Sequence, residues 1–129
     1  MERSTWDKVR TQHQLLESQL SGALRAVADG PGADAVDRVE RLTRSLELHL
    51  TLEEEHYFPQ TRAARPQLAD DLDGLLLEHT ELRSCLREAS ELLSQGDATA
   101  GGAALDQYSR IFRSHEKREY DLIENPTSD

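Results

Sequence analysis

The sequence predicts an all-α protein that folds as an antiparallel up-down-up-down four-helix bundle. Apolar residues recur at steps of three and four in four segments, which is the period of an amphipathic helix. Turn-forming glycine and proline residues separate the segments at positions 29–32, at 59–66, and at 95–97 together with Gly101 and Gly102. Short connections between long helices make consecutive helices antiparallel neighbours. The spacing of four histidines, described below, further divides the chain into two similar helical hairpins.

Each of the four helices is predicted from its own apolar stripe. No segment shows the strict alternation of apolar and polar residues that is typical of a half-buried strand. The stripes in chain order are Trp6, Val9, Leu16, Leu20, Leu24 and Val27; Val36, Val39, Leu42, Leu46 and Leu50; Leu68, Leu72, Leu75, Leu82, Leu86 and Leu93; and Leu105, Tyr108, Phe112 and Leu122.

Composition narrows the classes of function. The 129 residues are the size of one domain, and we expect residues 1–129 to form a single unit. The net charge of -10, with no segregated basic patch, disfavours nucleic acid and anionic membranes as partners. The apolar run Leu75 to Leu77 is far too short to span a membrane. A single cysteine, Cys85, and an N-terminus without an apolar signal-peptide core favour a cytoplasmic location.

Each apolar stripe is interrupted by a histidine, and the spacing of these histidines is regular. His13 and His49 are 36 residues apart, and so are His79 and His115, which repeat the first pair at an offset of 66. The midpoint of each pair falls in a predicted turn, so the two histidines of a hairpin lie at the same height. Two hairpins that dock side by side would therefore bring all four imidazoles into one layer.

A glutamate follows the histidine four residues later in the second and fourth helices. Glu53 follows His49 and Glu119 follows His115, and positions i and i+4 share one face of a helix. Four imidazoles and two carboxylates buried together are costly unless something compensates them. A pair of divalent metal ions would do so, with the histidines as terminal ligands and the glutamates as bridges. Mixed nitrogen and oxygen donors suit iron, manganese or zinc.

These motifs resemble the hemerythrin-like HHE cation-binding domain. An isolated His13 precedes HLTLEEEHYFP from His49, EHTEL from Glu78 and HEKRE from His115, in the order of that family and over nearly the whole chain. The resemblance implies a four-helix bundle that holds a non-haem diiron centre, which binds or reacts with dioxygen. The metal ligands that it implies are His13, His49, Glu53, His79, His115 and Glu119.

Two positions depart from the oxygen-carrying hemerythrins. Arg83 stands where those proteins have a second third-helix histidine, and Tyr120 stands where they have their last aspartate ligand. The ligand set of an oxygen carrier is therefore not preserved. With two histidines per ion and two bridging glutamates, each ion keeps an open position, which is typical of catalytic metals.

Arg83 has a counterpart in the first hairpin at the same offset of 66. This is Glu17, which lies four residues after His13 on the predicted inward face. The two side chains could form a buried ion pair beside the metals. Alternatively, Glu17 is a seventh ligand and Arg83 contacts an anionic substrate or a reaction intermediate. We treat both as candidate catalytic residues that tune the pocket.

Other residues near the predicted layer are open to simpler interpretations. His56 lies seven residues after His49 and could contact a substrate or mark the end of the bundle. Trp6 and Tyr108 are expected to pack in the core rather than to relay electrons. Glu54 and Glu55 are expected to be solvated.

The favoured function is an enzyme, a diiron oxidase or oxygenase that activates dioxygen and oxidises a small molecule. Its cofactor would be two iron ions, with manganese or zinc as alternatives. Its partners would be dioxygen, a small-molecule substrate and an electron-donor protein. The alternative function is a non-enzymatic protein that binds, senses or stores dioxygen, nitric oxide or iron. A third interpretation is that the four histidines are ordinary core residues, in which case the protein is a structural bundle that binds no metal.

Overall fold

The computed structural model describes residues 3–29 and 32–124, and helices make up nearly all of this part. The α-helices are α1 (Arg3–Ala28), α2 (Ala33–Leu52), α3 (Phe58–Ala64), α4 (Ala69–Ser94) and α5 (Ala98–Glu119). A π-helical turn, Glu53–Tyr57, joins α2 to α3, and a second one, Tyr120–Glu124, follows α5. A short 3-10 turn, Pro66–Leu68, precedes α4. Within these residues there is no β-strand, and the predicted all-α four-helix bundle is confirmed.

The long helices α1, α2, α4 and α5 form a ring in which neighbours run in opposite directions. α1 packs against α2 and α5, and α4 packs against the same two helices. Contacts along each pair show the direction, because a later residue of one helix meets an earlier residue of the other. Between α1 and α2 these contacts are Gln12 with His49 and Gly22 with Arg38, and between α4 and α5 they are Glu78 with His115 and Leu93 with Gly101. Between α1 and α5 they are Glu17 with Arg113 and Val27 with Gly102. Between α4 and α2 with its π turn they are Glu47 with Arg83 and Glu54 with His79.

The third predicted turn is present at residues 95–97, but Gly101 and Gly102, which were assigned to the same break, lie inside α5. The first predicted turn lies partly outside the described residues. Residues 30 and 31, at the centre of the first turn, are not among those described. In the third turn Gly96 has a φ of 83°, a conformation that glycine adopts without steric cost. The Asp97 side chain then accepts a hydrogen bond from the backbone N–H of Ala100 and caps the start of α5.

The break predicted at positions 59–66 is narrower than expected. The chain stays helical through Pro59, which lies in the first turn of α3, where proline is tolerated because its missing N–H has no helical role. The break comes at Arg65, whose φ of -137° and ψ of 74° are not helical. Pro66 follows directly and disfavours the helical conformation for the residue before it.

Buried apolar side chains form two clusters with a polar layer between them. The larger cluster occupies the half of the bundle that holds the first and third turns, and the smaller occupies the opposite end. In α1, for example, Leu16, Leu20, Ala23 and Val27 belong to the larger cluster, whereas Trp6 and Val9 belong to the smaller one. Between the two clusters along the chain lie His13 in α1, Glu53 after α2, His79 in α4, and His115 and Glu119 in α5, while His49 lies beside Leu50 at the edge of the larger cluster. In the part of the chain described here, no helix has both the length and the apolarity needed to cross a membrane.

Candidate metal centre

The six predicted ligand residues meet in this layer. His49, His79 and His115 are at most 1% exposed, and both glutamates are fully buried. His13 is the most open member, with 13% of its side chain exposed. The imidazoles form two close pairs: the ring centroids of His13 and His49 are 4.6 Å apart, and those of His79 and His115 are 5.0 Å apart.

Glu53 lies between the two pairs of histidines. Its Oε2 atom is 3.2 Å from Nε2 of His49 and 3.8 Å from Nε2 of His13. Its Oε1 atom is 3.0 Å from Nε2 of His79 and 3.7 Å from Nε2 of His115. Each oxygen of this carboxylate therefore faces one histidine pair.

Glu119 divides its oxygens between the same two pairs. Its Oε1 atom is 3.7 Å from Nε2 of His13, and its Oε2 atom is 3.4 Å from Nε2 of His115. The donors thus form two groups, which share both carboxylates. His13, His49 and Glu53 can surround one cation, and Glu53, His79 and His115 can surround another.

The two π-helical turns lie at the two glutamates. Glu53 opens the first turn and Glu119 immediately precedes the second. A π turn has hydrogen bonds from residue i to i+5, one residue more than an α-helical turn, and is often found at functional sites. It rotates the residues that follow, so His56 is exposed instead of sharing the face of His49, and Tyr57 is buried in its place.

Tyr57 connects the two π turns. Its ring stacks on Trp6 at a centroid distance of 5.8 Å, and its hydroxyl donates a hydrogen bond to Glu124 in the second turn. Burial and the nearby carboxylate of Glu124 both raise the pKa of this hydroxyl, so it stays protonated and remains a donor.

Unpaired polar atoms in the layer fit a metal pair. Among the described residues, nine buried side-chain nitrogen or oxygen atoms lack a hydrogen-bond partner, and six of them belong to the ligand layer. A buried polar atom without a partner costs about 1–3 kcal/mol, so a cluster of six needs an explanation. Cations bound by imidazole nitrogen and carboxylate oxygen supply one. The six atoms are Nε2 of His13, His49 and His115, Oε2 of Glu53, and both Oε atoms of Glu119.

The family comparison agrees with this geometry. A model of the hemerythrin HHE cation-binding domain matches residues 4–124. The chain belongs to the hemerythrin HHE family. No curated protein and no solved structure shows significant similarity to it. The family and the histidine–glutamate cluster together make this a cation-binding domain whose described residues can hold metal.

The close packing of imidazoles and carboxylates shifts the pKa values of this layer in opposite directions. Burial opposes ionisation of Glu53, but His49 and the other imidazoles that face its carboxylate hold its pKa well below the usual range. Burial and the charge of Glu53 raise the pKa of Glu119. Burial disfavours the charged form of His115, yet the carboxylates of Glu119 and Glu53, at 3.4 and 3.7 Å from its Nε2 atom, outweigh it and raise its pKa to about 9. A binding cation must displace the proton of His115.

Of the two alternatives for Glu17 and Arg83, the one in which they form a buried ion pair with each other is wrong. Glu17 lies outside the layer and accepts hydrogen bonds from Arg113, the shorter at 2.8 Å, with 40% of its side chain exposed. Arg83 instead binds Glu47 at 2.8 Å and Glu54 at 2.9 Å. The reason is that α1 and α4 lie across the ring from each other, so each side chain meets a neighbouring helix.

Trp6 and Tyr108 pack in the core, as expected. Trp6 is 8% exposed and presents an edge to the His13 ring at a centroid distance of 6.5 Å. Tyr108 stacks on Phe112 at 5.5 Å, and its hydroxyl is one of the nine buried atoms without a partner. Phe112 in turn meets the His13 ring edge-on.

Sequence reasoning missed the four side chains that contact the outer ring nitrogens of the histidines. Each is adjacent in sequence to a predicted ligand, and this adjacency is the signal that could have found them. Glu54, which was expected to be solvated, is one of them and is partly buried. The contacts with Nδ1 are Gln12 to His49 at 2.9 Å, Glu54 to His79 at 2.7 Å, Glu78 to His115 at 2.7 Å and Glu116 to His13 at 3.3 Å.

A surface groove of about 590 Å³ between α1 and α5 reaches His13. Trp6 and Tyr120 supply aromatic walls, and Glu116 contributes a carboxylate whose pKa burial raises to about 7. The remaining lining residues are Arg10, Lys117 and Glu124. The groove is large enough for a small organic molecule and lies beside the least buried of the four histidines.

Proposed function

We propose that this HHE protein holds two iron ions and activates dioxygen to oxidise a small molecule. His13 and His49 would hold one ion, and His79 and His115 the other. Glu53 and Glu119 would bridge the two ions. Manganese or zinc would suit the same donors, and the redox chemistry favours iron.

The observation that carries this proposal is the division of the layer into two donor groups that share both carboxylates. Each group offers two imidazole nitrogens and one oxygen from each glutamate, at separations of 3.0–3.8 Å between the donor atoms named above. Four protein donors leave room for exogenous ligands on each ion, as in catalytic metal sites. In a cluster that binds no metal, six buried atoms without hydrogen-bond partners would only destabilise the fold.

The surroundings of the layer favour oxidation chemistry at a protected centre. Apolar clusters lie on both sides along the bundle and exclude bulk water. The groove beside His13 supplies one approach for dioxygen and a small organic substrate. When bound, two ferrous ions would supply two of the four electrons that reduce dioxygen to water, the substrate would supply the other two, and an electron-donor protein would restore the ferrous pair.

Metal analysis and oxygen consumption test this proposal. Purified protein loaded with Fe²⁺ under anaerobic conditions should hold close to two ions per chain and should consume dioxygen irreversibly on exposure to air. The variant Glu53→Gln is the control, because it loses the bridging charge and should neither hold the pair nor consume dioxygen. A reversible colour change without net oxygen consumption would instead establish the non-enzymatic binder. A native fold that binds no metal would overturn both functions.

A further inference from the structure

The contacts of the outer Nδ1 nitrogens differ between the two histidine pairs. A metal-binding histidine commonly donates its other ring N–H to a carboxylate or carbonyl, which fixes the ring and strengthens electron donation to the metal. All four histidines have such a partner here. The partners of one pair are two carboxylates, whereas those of the other pair are one amide and one carboxylate.

Arginines hold both carboxylates of the His79 and His115 pair. Glu54, the partner of His79, receives hydrogen bonds from Arg83 at 2.9 and 3.2 Å. Glu78, the partner of His115, receives a hydrogen bond from Arg118. Each arginine draws off part of the carboxylate charge but fixes the carboxylate against its imidazole, at 2.7 Å in both cases.

The Nδ1 atoms of His13 and His49 have weaker partners than those of His79 and His115. His49 contacts the neutral amide of Gln12 at 2.9 Å, and an amide oxygen is a poorer acceptor than a carboxylate. His13 contacts Glu116 at the longer distance of 3.3 Å. In the part of the chain described, the ion-pair partner of Glu116 is His13 itself rather than an arginine. His13 is also the only histidine of the four that borders the groove.

We infer that the two metal positions are unequal, and that the position between His79 and His115 binds its ion first and more tightly. The position between His13 and His49 is then the exchangeable one, next to the groove. This inference rests on the proposed two-metal site and adds an order of filling to it.

One pair of residues provides a reciprocal test. Gln12 and Glu78 are 66 residues apart, like the histidines His49 and His115 that they contact, so the two hairpins differ at this point by one amide and one carboxylate. Glu78→Gln gives the second hairpin the partner of the first, and Gln12→Glu does the reverse. Each exchange keeps the length and shape of the side chain.

The experiment is a calorimetric titration of the metal-free, full-length protein with Co²⁺. The wild type should bind two ions in two resolved steps. Glu78→Gln should weaken the tight step by roughly 10–100-fold, and Gln12→Glu should strengthen the weak step in the same range. Matched controls are Glu81→Gln and Gln14→Glu, which make the same exchanges at exposed positions of α4 and α1 and should leave both steps unchanged.

Paramagnetic NMR at one equivalent of Co²⁺ adds a readout that a general loss of stability would not reproduce. The shifted Nδ1–H signals should then come from the position that fills first. Glu78→Gln should move one of these signals, and Gln12→Glu should move none. This measurement also keeps the test decisive if Glu78→Gln folds poorly, because the Gln12→Glu variant and the wild type are sufficient for it.

The outcomes separate this inference from the proposed function. Two ions that bind with one shared affinity, or a Glu78→Gln exchange that changes only the weak step, would overturn the unequal positions and leave the two-metal site intact. Fewer than two ions per chain in the wild type would overturn the two-metal site itself. Two steps that respond to the exchanges as described would support both.

Discussion

Removing the metal should destabilise this protein strongly, because several buried polar atoms of its central layer have no hydrogen-bond partner. Six of these atoms are buried and unpaired, at a cost of about 1–3 kcal/mol each before any relaxation. Binding stabilises only the folded state, and one ion present at 100 times its dissociation constant adds about 2.7 kcal/mol. Two ions at that level add roughly 5 kcal/mol, which raises the melting temperature by roughly 15–25 °C in a domain of this size.

The assay is thermal unfolding followed by circular dichroism, with Fe²⁺ under anaerobic conditions and with an excess of chelator. Glu53→Gln should abolish the difference between the two conditions, because it removes one of the two carboxylate charges that both donor groups share and the one that faces all four histidines. Glu55→Gln is the matched control: this residue lies in the same π turn but is exposed, so the metal-dependent shift should remain. The reasoning would be refuted by a wild type that melts at one temperature in both conditions, or by a Glu53→Gln variant that keeps the full shift.

Three further predictions concern protons, an unpaired hydroxyl and helix packing. In calorimetric titrations the affinity for Co²⁺ should fall by about tenfold or more per unit as the pH drops from 8 to 6, because His115 has a pKa of about 9 without metal and must lose its proton to bind. Tyr108→Phe should leave the melting temperature unchanged or slightly higher, since the hydroxyl that it removes is buried without a partner. Gly101→Ala should destabilise the fold by about 1–3 kcal/mol in urea unfolding, because its Cβ would lie 2.7 Å from Cγ of Leu93. Gly74→Ala, where the nearest atom would be 3.5 Å away, should instead be neutral or stabilising by up to about 1 kcal/mol.

Each of these has a clear contrary result. A Co²⁺ affinity that does not change with pH would mean that the ligands bind no protons in the metal-free protein. A large loss of stability in Tyr108→Phe would mean that its hydroxyl has a partner after all. Equal effects of the two glycine substitutions would show that helix propensity, rather than the contact between α4 and α5, sets the outcome.

Much of the fold and the candidate ligand layer could be predicted from the sequence, because both follow from regular spacing. The helical period identifies the core face of each long helix, and the predicted bundle is confirmed. Equal separations in two hairpins place His13 level with His49, and His79 level with His115. The i+4 relation adds Glu53 to the same face. These relations depend only on the rise and period of a helix, which are the same in every sequence that forms one.

The connections between helices were less predictable, because a proline signals a break without locating it. The predicted break began at Pro59, but the helix restarts after the π turn and continues to Ala64. The same π turn moves His56 to the surface and Tyr57 into the core. Its extra residue leaves no mark in the hydrophobic pattern, and the contact between Tyr57 and Glu124 that accompanies it joins residues 67 positions apart.

The sequence alone determined that histidines and glutamates would share one buried layer, since helix geometry fixes which residues lie at one height on an inward face. Only the tertiary structure decided which long, flexible side chains meet around that layer. Arg83 could have reached toward α1, but the ring order places α2 beside it, and its guanidinium fixes Glu54 against His79. Which side chains pair in this way depends on which helices are neighbours and on how each helix is rotated about its axis. The spacing of residues within one helix determines neither.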